Sequence, residues 1–446
     1  MRASIDRRTF LKQGAAAGIG LGVFGHLRAV RGAAAPSNKL VVGVMGVNSR
    51  GGGLATSFAK TQGCEVAYIC DVDERAIAKT IRSVAQVAGD SAPAAKGETD
   101  VRRLLDNKDL DILVIAAPDH WHAPAAIMAL QAGKHVYVEK PCGHNPREGE
   151  LLVEAQKRYD RVVQMGNQQR VSPESQQIVQ SIHEGLIGRA YYGRAWYANT
   201  RGGIGHGKPA PVPDWLNYDL WQGPAPRTPY RDNIIHYNWH WFWHWGTGEI
   251  CNNGTHEIDI CRWALGVDYP IRVTSAGGRF HFKDDWEFYD TQIASFDFKE
   301  DKTITWDGRS CNGKPVEGRG RGASIHGEYG TVFMDRQGYI VYDQDNKEIW
   351  KRVRSTAEAT LDTRGGGGLT DMHIANLADV IRGDSSNQAA PIDEGHKSTL
   401  LCHLGNIAQR TGRTLQCDPT NGHILDDEEA MQLWGRSYEP GWEVTV

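Results

Sequence analysis

The chain has 446 residues, enough for two or three domains at about 150 residues each, and its composition, 23% charged and 40% hydrophobic, is that of an ordinary folded protein. Lys plus Arg total 50 against 54 Asp plus Glu, a formal net charge of -4, which excludes a basic nucleic-acid-binding surface or a polybasic membrane anchor as the organising feature. The counts that stand out are 51 Gly, 14 Trp and 17 His, which predict close backbone approaches and an aromatic, imidazole-rich cleft.

Asp6 to Lys12 read DRRTFLK, a twin-arginine pair, followed by a weakly apolar run from Gly14 to Gly25 and the small residues Ala33, Ala34 and Ala35. The run is too short to span a bilayer. A basic start, a short apolar middle and small residues at the end predict a cleaved twin-arginine export signal over residues 1–35. The expectation is a periplasmic or secreted protein without a membrane anchor once the signal is removed. Proteins on this route fold before export, so a tightly held cofactor is expected. The 8 cysteines show no CxxC spacing and no zinc-like interval to His; they read as core residues, and no metal is implied.

Between residues 38 and 165, apolar runs alternate with helical stretches: KLVVGVMG, EVAYIC, DILVIAAP, HVYVEK and RVVQMG. Strands alternating with helices of this length predict βαβ units and a parallel sheet. The first run turns through Gly46, Val47, Asn48, Ser49, Arg50 and Gly51, a GxGxxG pattern with Asn48 at the middle glycine. A turn that follows a buried strand and opens a helix can hold a diphosphate on the helix amides. Asp71, ending EVAYIC, is placed to bond a ribose diol, which favours NAD over NADP; Arg75 lies near enough to weaken that preference. Strand ends are where ligands sit in such sheets. Pro118, His122, Glu139 and Lys140 therefore join the predicted cofactor site, with Lys140 near its nicotinamide end.

Residues 166–446 change texture, with turn-separated runs such as IRVTSAGG, DTQIASFDF, KTITWDG, GTVFMDR and GYIVYDQ. These predict an α+β domain with an open, mostly antiparallel sheet, helices on one side and two late helices near Thr370 to Arg382 and Asp393 to Thr411. Asn167, Gln168 and Arg170, just after the last parallel strand, are expected to face the crevice, Gln168 toward cofactor and the other two toward substrate. The segment from Gly202 to Asn233 holds six prolines and is predicted to be a lid or an arm toward a neighbouring subunit. HYNWHWFWHW, from His236 to Trp245, suits a carbohydrate cleft through His240 and Trp241, because flat aromatic faces match pyranose C–H faces. A buried aromatic plug between the domains is the equal alternative, and residues can alternate between the two jobs.

Three segments carry a family resemblance: EKP at Glu139 to Pro141, P-x-x-x-H at Pro118 to His122, and GTGEICNNGTHEIDICRWALG from Gly246 to Gly266. With them the mature chain resembles the glucose-fructose oxidoreductase, inositol dehydrogenase and rhizopine-catabolism family, Gfo/Idh/MocA. The resemblance implies a Rossmann domain followed by a substrate domain whose open sheet builds dimers or tetramers. It implies that Lys140 contacts both substrate hydroxyl and nicotinamide, and that His256 is the acid/base. Many members carry Asp four residues before that His; here the position is Asn252, so a carboxylate that tunes the imidazole is Asp259 or another residue. The expected function is NAD-dependent oxidation of a secondary hydroxyl of a sugar or glycoside. One alternative is an NAD-retaining glycoside hydrolase acting through transient C3 oxidation; another is a non-catalytic sugar- or dinucleotide-binding protein.

Overall fold

A computed structural model describes residues 39–89, 92–353 and 368–446; the predicted export signal and most of the Gly365 to Gly368 run lie outside them. The first layer is a six-stranded parallel sheet built from β1 (Leu40–Met45), β2 (Cys64–Cys70), β3 (Lys96–Glu98), β4 (Ile112–Ile115), β5 (His135–Val138) and β6 (Val163–Met165), in the order β3-β2-β1-β4-β5-β6. All four residues of β4 are buried. Ile112 and Val114 join one apolar cluster, with Leu54 and Phe58, while Leu113 and Ile115 join another, with Leu104 and Leu130. Side chains of successive strand residues point to opposite faces, so a strand covered twice is apolar throughout. At roughly 1.5–3 kcal/mol per buried large aliphatic side chain, this double cover is the main stabilising term of the layer.

Helices α1 (Arg50–Lys60), α2 (Glu74–Ala88), α3 (Val101–Leu105), α4 (Asp119–Gln131) and α5 (Pro146–Tyr159) make the crossovers. Side-chain caps start several of them: Asp73 accepts from the Arg75 amide, and Asn145 from that of Glu148, with Pro146 in the first turn. α1 and α4 have no side-chain cap. The strand order reverses between β1 and β4, and a crevice opens there at the C-terminal strand ends.

The second layer is a ten-stranded sheet of β7 (Ala190–Ala198), β8 (Arg272–Gly278), β9 (Thr291–Phe298), β10 (Lys302–Arg309), β11 (Arg321–Gly327), β12 (Gly330–Asp335), β13 (Gly338–Asp343), β14 (Glu348–Val353), β15 (Leu415–Cys417) and β16 (Ile424–Leu425), ordered β14-β13-β12-β11-β7-β10-β9-β8-β15-β16 among the described residues. Only β7 and β10 (Lys302–Arg309) pair in parallel; the other pairings are antiparallel. Helices α6 (Pro173–His183), α8 (Thr255–Leu265) and α10 (Ile392–Thr411) contribute to one apolar core with its strands, centred on Ile258, Phe296, Trp306 and Leu404. The opposite face shows polar pairs such as Tyr192 with Thr305 and Arg194 with Asp307. Helix α9 (Leu369–Arg382) returns to the first layer, where Ile374 and Leu377 pack beside Phe58.

The proline-rich segment folds back on its own chain. It contains the short helix α7 (Tyr218–Gln222), and just before it the Asn217 amide donates to the Val72 carbonyl at 2.9 Å. Trp215 covers the guanidinium of Arg75 at 3.6 Å, and His236 meets Asp73 at 3.0 Å. The segment is thus a strap across the end of β2.

Candidate active site

A single cavity of about 840 Å³ runs from the turn after β1 to the face of the second layer. At its first end Gly46 has φ 80°, and a Cβ there would stand 2.5 Å from the Ala117 amide nitrogen. A Cβ on Gly51 would stand 2.2 Å from the Gly46 carbonyl oxygen, so Gly51 sets the approach of α1 to the turn. Gly46, Asn48, Ser49 and Arg50 line the cavity; Gly51 supports them from behind. α1 starts with no acidic residue in its first turn and no side-chain cap, leaving its first amides and the positive end of its dipole to an anion. Asp71 also lines the cavity; its carboxylate accepts from the amides of Val47 at 2.6 Å and Asp73 at 3.0 Å. Burial raises the Asp71 pKa and these bonds oppose the rise. Arg75 is drawn away, its guanidinium bonded to Asp73 through Nε and Nη2 at 2.9 Å each and roofed by Trp215. An uncapped helix, a Cβ-free turn and a carboxylate at the end of β2 fit a dinucleotide of the NAD type.

Midway, His122 sits between two carbonyls, Pro141 at 2.5 Å and Ala117 at 2.8 Å, tying the end of β4 to the EKP turn. Pro118, His122, Glu139, Lys140 and Gln168 all line the cavity. Glu139 accepts from Arg50 Nε at 2.9 Å and from Gln168 Nε2 at 3.3 Å; the Arg50 charge holds its carboxyl low against the upward push of burial. Lys140 Nζ donates to Asn252 Oδ1 at 3.2 Å. Burial lowers the lysine pKa, outweighing the pull of Glu139, Asp119 and Glu249. Asp119, which the sequence analysis did not single out, lines the same wall and accepts from the Thr247 hydroxyl; burial raises its pKa.

The far wall belongs to the second layer. Ile250–Gly254 forms a π turn that leads into α8, a local widening that often marks functional sites. Asn252, Asn253 and His256 from this stretch line the cavity. Burial, with Arg336, Lys140 and Arg321 nearby, drives the His256 pKa well down, so its imidazole is neutral. Tyr197, Asn199, Arg201, Arg321 and Arg336 complete the wall. Sequence reasoning missed them, because they come from three separated segments and no local motif joins them.

A model of the oxidoreductase family NAD-binding Rossmann fold matches residues 19–167, and a model of the oxidoreductase family C-terminal alpha/beta domain matches residues 188–340. The chain belongs to the Gfo/Idh/MocA oxidoreductase family. A glycosyl hydrolase family 109 protein of Saccharopolyspora erythraea is 34% identical over 210 residues, 43% of this chain and 45% of that protein. An alpha-N-acetylgalactosaminidase of Shewanella oneidensis is 28% identical over 172 residues, 38% of either chain. The matched stretch spans less than half the length of these curated relatives. Among solved structures, the WlbA dehydrogenase from Bordetella pertussis, in complex with NADH and UDP-GlcNAcA, has a TM-score of 0.62 at 19% identity, over 85% of this chain and 99% of that one. The aldose-aldose oxidoreductase from Caulobacter crescentus, complexed with glycerol, has a TM-score of 0.62 at 18% identity, with the same coverage of each chain. At these identities the structures show the fold alone.

Besides Gly51, four expected site residues of this Gfo/Idh/MocA chain lie off the cavity. Asp259 accepts a two-pronged bond from Arg170, at 2.8 and 2.9 Å, and a third from Ser398 at 2.6 Å, all buried. The pair ties α8 to α10 and to the turn after β6, so Asp259 and Arg170 bond each other instead of lining the cavity with His256. Asn167 is buried behind the wall at 2% exposure. Trp241 lies flat on Trp286 at 3.8 Å and is a core residue. The segment from His236 to Trp245 divides its labour, with His236, Tyr237, Trp239 and His240 lining the cavity and Trp241 and Trp245 buried. His240 bonds the Tyr237 carbonyl, and burial lowers its pKa to about 3. His244 bonds the Pro226 carbonyl instead of joining it.

Proposed function

We propose that the protein oxidises a secondary hydroxyl of a sugar or glycoside with a retained NAD. The observation that carries this is that Lys140 and His256, from different layers, line one cavity whose other end is the cradle at Gly46, Ser49 and Asp71. When bound, the nicotinamide accepts a hydride from the carbinol carbon. Lys140, whose burial favours the neutral amine, takes the hydroxyl proton, and Asn252 holds its Nζ in place. Neutral His256 is the second proton carrier on the substrate side. The strap at Trp215 to Gln222 supports retention, since Leu220, Trp221 and His236 line the cavity beside Asp71. The engagement of Arg75 by Asp73 supports NAD over NADP.

A second reading is favoured by the names of the curated relatives: a glycoside hydrolase that ends with its NAD unchanged. In it, a hydride passes from C3 to NAD and later returns; between the two, His256 removes the acidified C2 proton, the aglycone leaves with a proton, and water adds to the resulting double bond, so that net hydrolysis results with no net redox. Incubating the purified protein with aryl glycosides decides between them. Aglycone release without NADH accumulation selects the hydrolase, a stoichiometric keto-sugar selects the dehydrogenase, and neither product in protein carrying its dinucleotide refutes both. Residues 1–35 are proposed to direct twin-arginine export, and the open face of the ten-stranded sheet to build a dimer or tetramer. Native mass spectrometry of exported material tests both, through the mature N-terminus and the subunit count.

A further inference from the structure

Lys140 shares the cavity wall with Asn252, which accepts from its Nζ at 3.2 Å, and with the carboxylates of Glu139 and Asp119. Glu249 adds a third negative charge from behind the wall, Arg321 an opposing positive one, and the neutral imidazoles of His240 and His256 face the lysine as well. Two of the three carboxylates are already held by arginines. Glu139 accepts from Arg50 Nε at 2.9 Å, and Glu249 from Arg201 at 2.6 and 3.1 Å. Asp119 is not. Among the described residues it accepts from the Thr247 hydroxyl and forms no ion pair, with Lys140 and His122 the titratable groups that face it.

Asp119 is 3% exposed and stands in the first turn of α4, whose start has no side-chain cap, so the helix dipole favours an anion there. Thr247 precedes the π turn of the second layer, and its bond fixes the Asp119 carboxylate across the two layers. A neutral amide would accept that hydroxyl equally well. Burying a charge instead is unfavourable unless an opposite charge answers it. The bond from Thr247 therefore accounts for an acceptor at this position and leaves the anion unexplained. The Lys140 ammonium explains it, because the neighbour bonded to that lysine, Asn252, is neutral, and Glu139 and Glu249 are taken by arginines.

We infer that Asp119 is the positioning carboxylate of Lys140, the fixed negative charge that stabilises the ammonium formed when the amine takes a substrate proton. In that step the substrate O–H bond breaks, an N–H bond forms on Nζ, the hydride leaves the carbinol carbon for the nicotinamide, and Asp119 remains ionised. The anion that many family members carry four residues before His256 is supplied here by the start of α4, so Asn252 can be neutral. The inference rests on Lys140 being the base in the reading above and deepens it.

The test reads the lysine directly. Competitive labelling of the purified protein, with its dinucleotide bound, by trace acetic anhydride over a series of pH values gives the titration midpoint of Lys140 from mass spectrometry of its peptide. Asp119→Asn, which keeps an acceptor for Thr247, is expected to lower that midpoint by about one pH unit, and the acidic limb of kcat/KM to move down with it. Adding Asn252→Asp returns an anion to the ammonium from another side and is expected to bring the midpoint back to near its wild-type value. Loss of a merely structural cross-link would lower Tm, leave the midpoint in place and not be repaired by a charge at position 252. Asp119→Ser, smaller and still able to bond Thr247, carries the same reading should the amide variant not fold. A midpoint that stays put without the carboxylate, or that falls and is not restored by Asn252→Asp, overturns the inference. A midpoint that moves as expected in protein that oxidises no sugar and releases no aglycone would sink the proposed function and leave the pairing of Asp119 with Lys140 standing; turnover with an unmoved midpoint would do the reverse.

Discussion

Lys140 Nζ donates to Asn252 Oδ1 at 3.2 Å, and the same amide is oriented by Glu249, which accepts from its Nδ2 at 3.4 Å. The lysine thus faces a neutral acceptor where many family members would present a carboxylate. Burial then lowers its pKa unopposed at that contact. Asn252→Asp would put an anion beside the ammonium and raise the lysine pKa. A base with a raised pKa needs a higher pH to be free, so the acidic limb of the kcat/KM profile is expected to move upward, with roughly tenfold lower kcat/KM at neutral pH. An unmoved limb would show that Lys140 is not the group titrating.

Lys140→Met tests the same residue by deletion. Loss of a positioned proton acceptor typically costs about 10²–10⁴ in rate. The dinucleotide cradle lies at Gly46, Ser49 and Asp71, away from the substituted side chain, so retained NAD is expected to be present at wild-type stoichiometry. Turnover within twofold of wild type, or loss of the dinucleotide together with activity, would contradict the proposed role.

The parallel sheet was legible because its strands are buried on both faces: LVVGV and ILVIAA are apolar at every position, and local pattern reports such burial directly. The turn at Gly46 and the EKP segment were legible for a related reason, since one strand end carries each motif. The far wall of the cavity was not. Arg201, Arg321 and Arg336 meet only when β7, β11 (Arg321–Gly327) and the turn after β12 (Gly330–Asp335) lie side by side, and nothing in their neighbouring residues announces it. The partners of Asp259 were not legible either, because they come from other segments. Asp259 falls on α8 beyond the π turn, and on the side that meets Arg170 and Ser398. Trp241 shows the same limit at shorter range: Asn238–Trp241 is a 3-10 turn, so neither strand alternation nor an α-helical face predicts which ring is buried.

The Arg170–Asp259 pair gives a prediction that separates stability from chemistry. Arg170 is 6% and Asp259 2% exposed at the side chain. Asp259→Ala leaves the buried Arg170 guanidinium with its longer contact to Glu394 at 3.4 Å, and breaking such a buried pair costs about 3–5 kcal/mol. Thermal melting is expected to show that loss, while folded enzyme keeps its kcat and its pH profile. A shifted pH profile with little change in Tm would return Asp259 to the role of tuning His256.

Acid stability follows from imidazoles buried outside the cavity. His120 and His144 are driven well below the ordinary value by burial, and His373, His396 and His403 to about 4, 4 and 3. Each is neutral in the fold and takes a proton near pH 6.5 when unfolded. Their contribution is therefore full above about pH 6.5 and is lost as pH falls from there toward 4 and 3. Asp71, Asp119 and Glu287, raised by burial, work in the opposite sense, but they are three against five. Tm is expected to fall by on the order of 10 °C between pH 7.5 and 4.5. A flat profile over that range would mean the imidazoles are not held neutral.

The strap predicts how the dinucleotide is kept. Trp215 stacks on Arg75 at 3.6 Å and on His236 with ring centroids 5.4 Å apart, and His236 in turn meets Asp73 at 3.0 Å. These contacts hold Leu220, Trp221 and His236 against the Asp71 end of the cavity. A cation–π contact of about 0.5–2 kcal/mol and an aromatic stack of about 0.5–1.5 kcal/mol would both go with the indole. Trp215→Ala is therefore expected to release NADH about tenfold or more faster, read by stopped-flow fluorescence. Turnover with saturating NAD should be unchanged, because the indole is remote from Lys140. An unaltered release rate would mean that the strap covers the cleft without closing it.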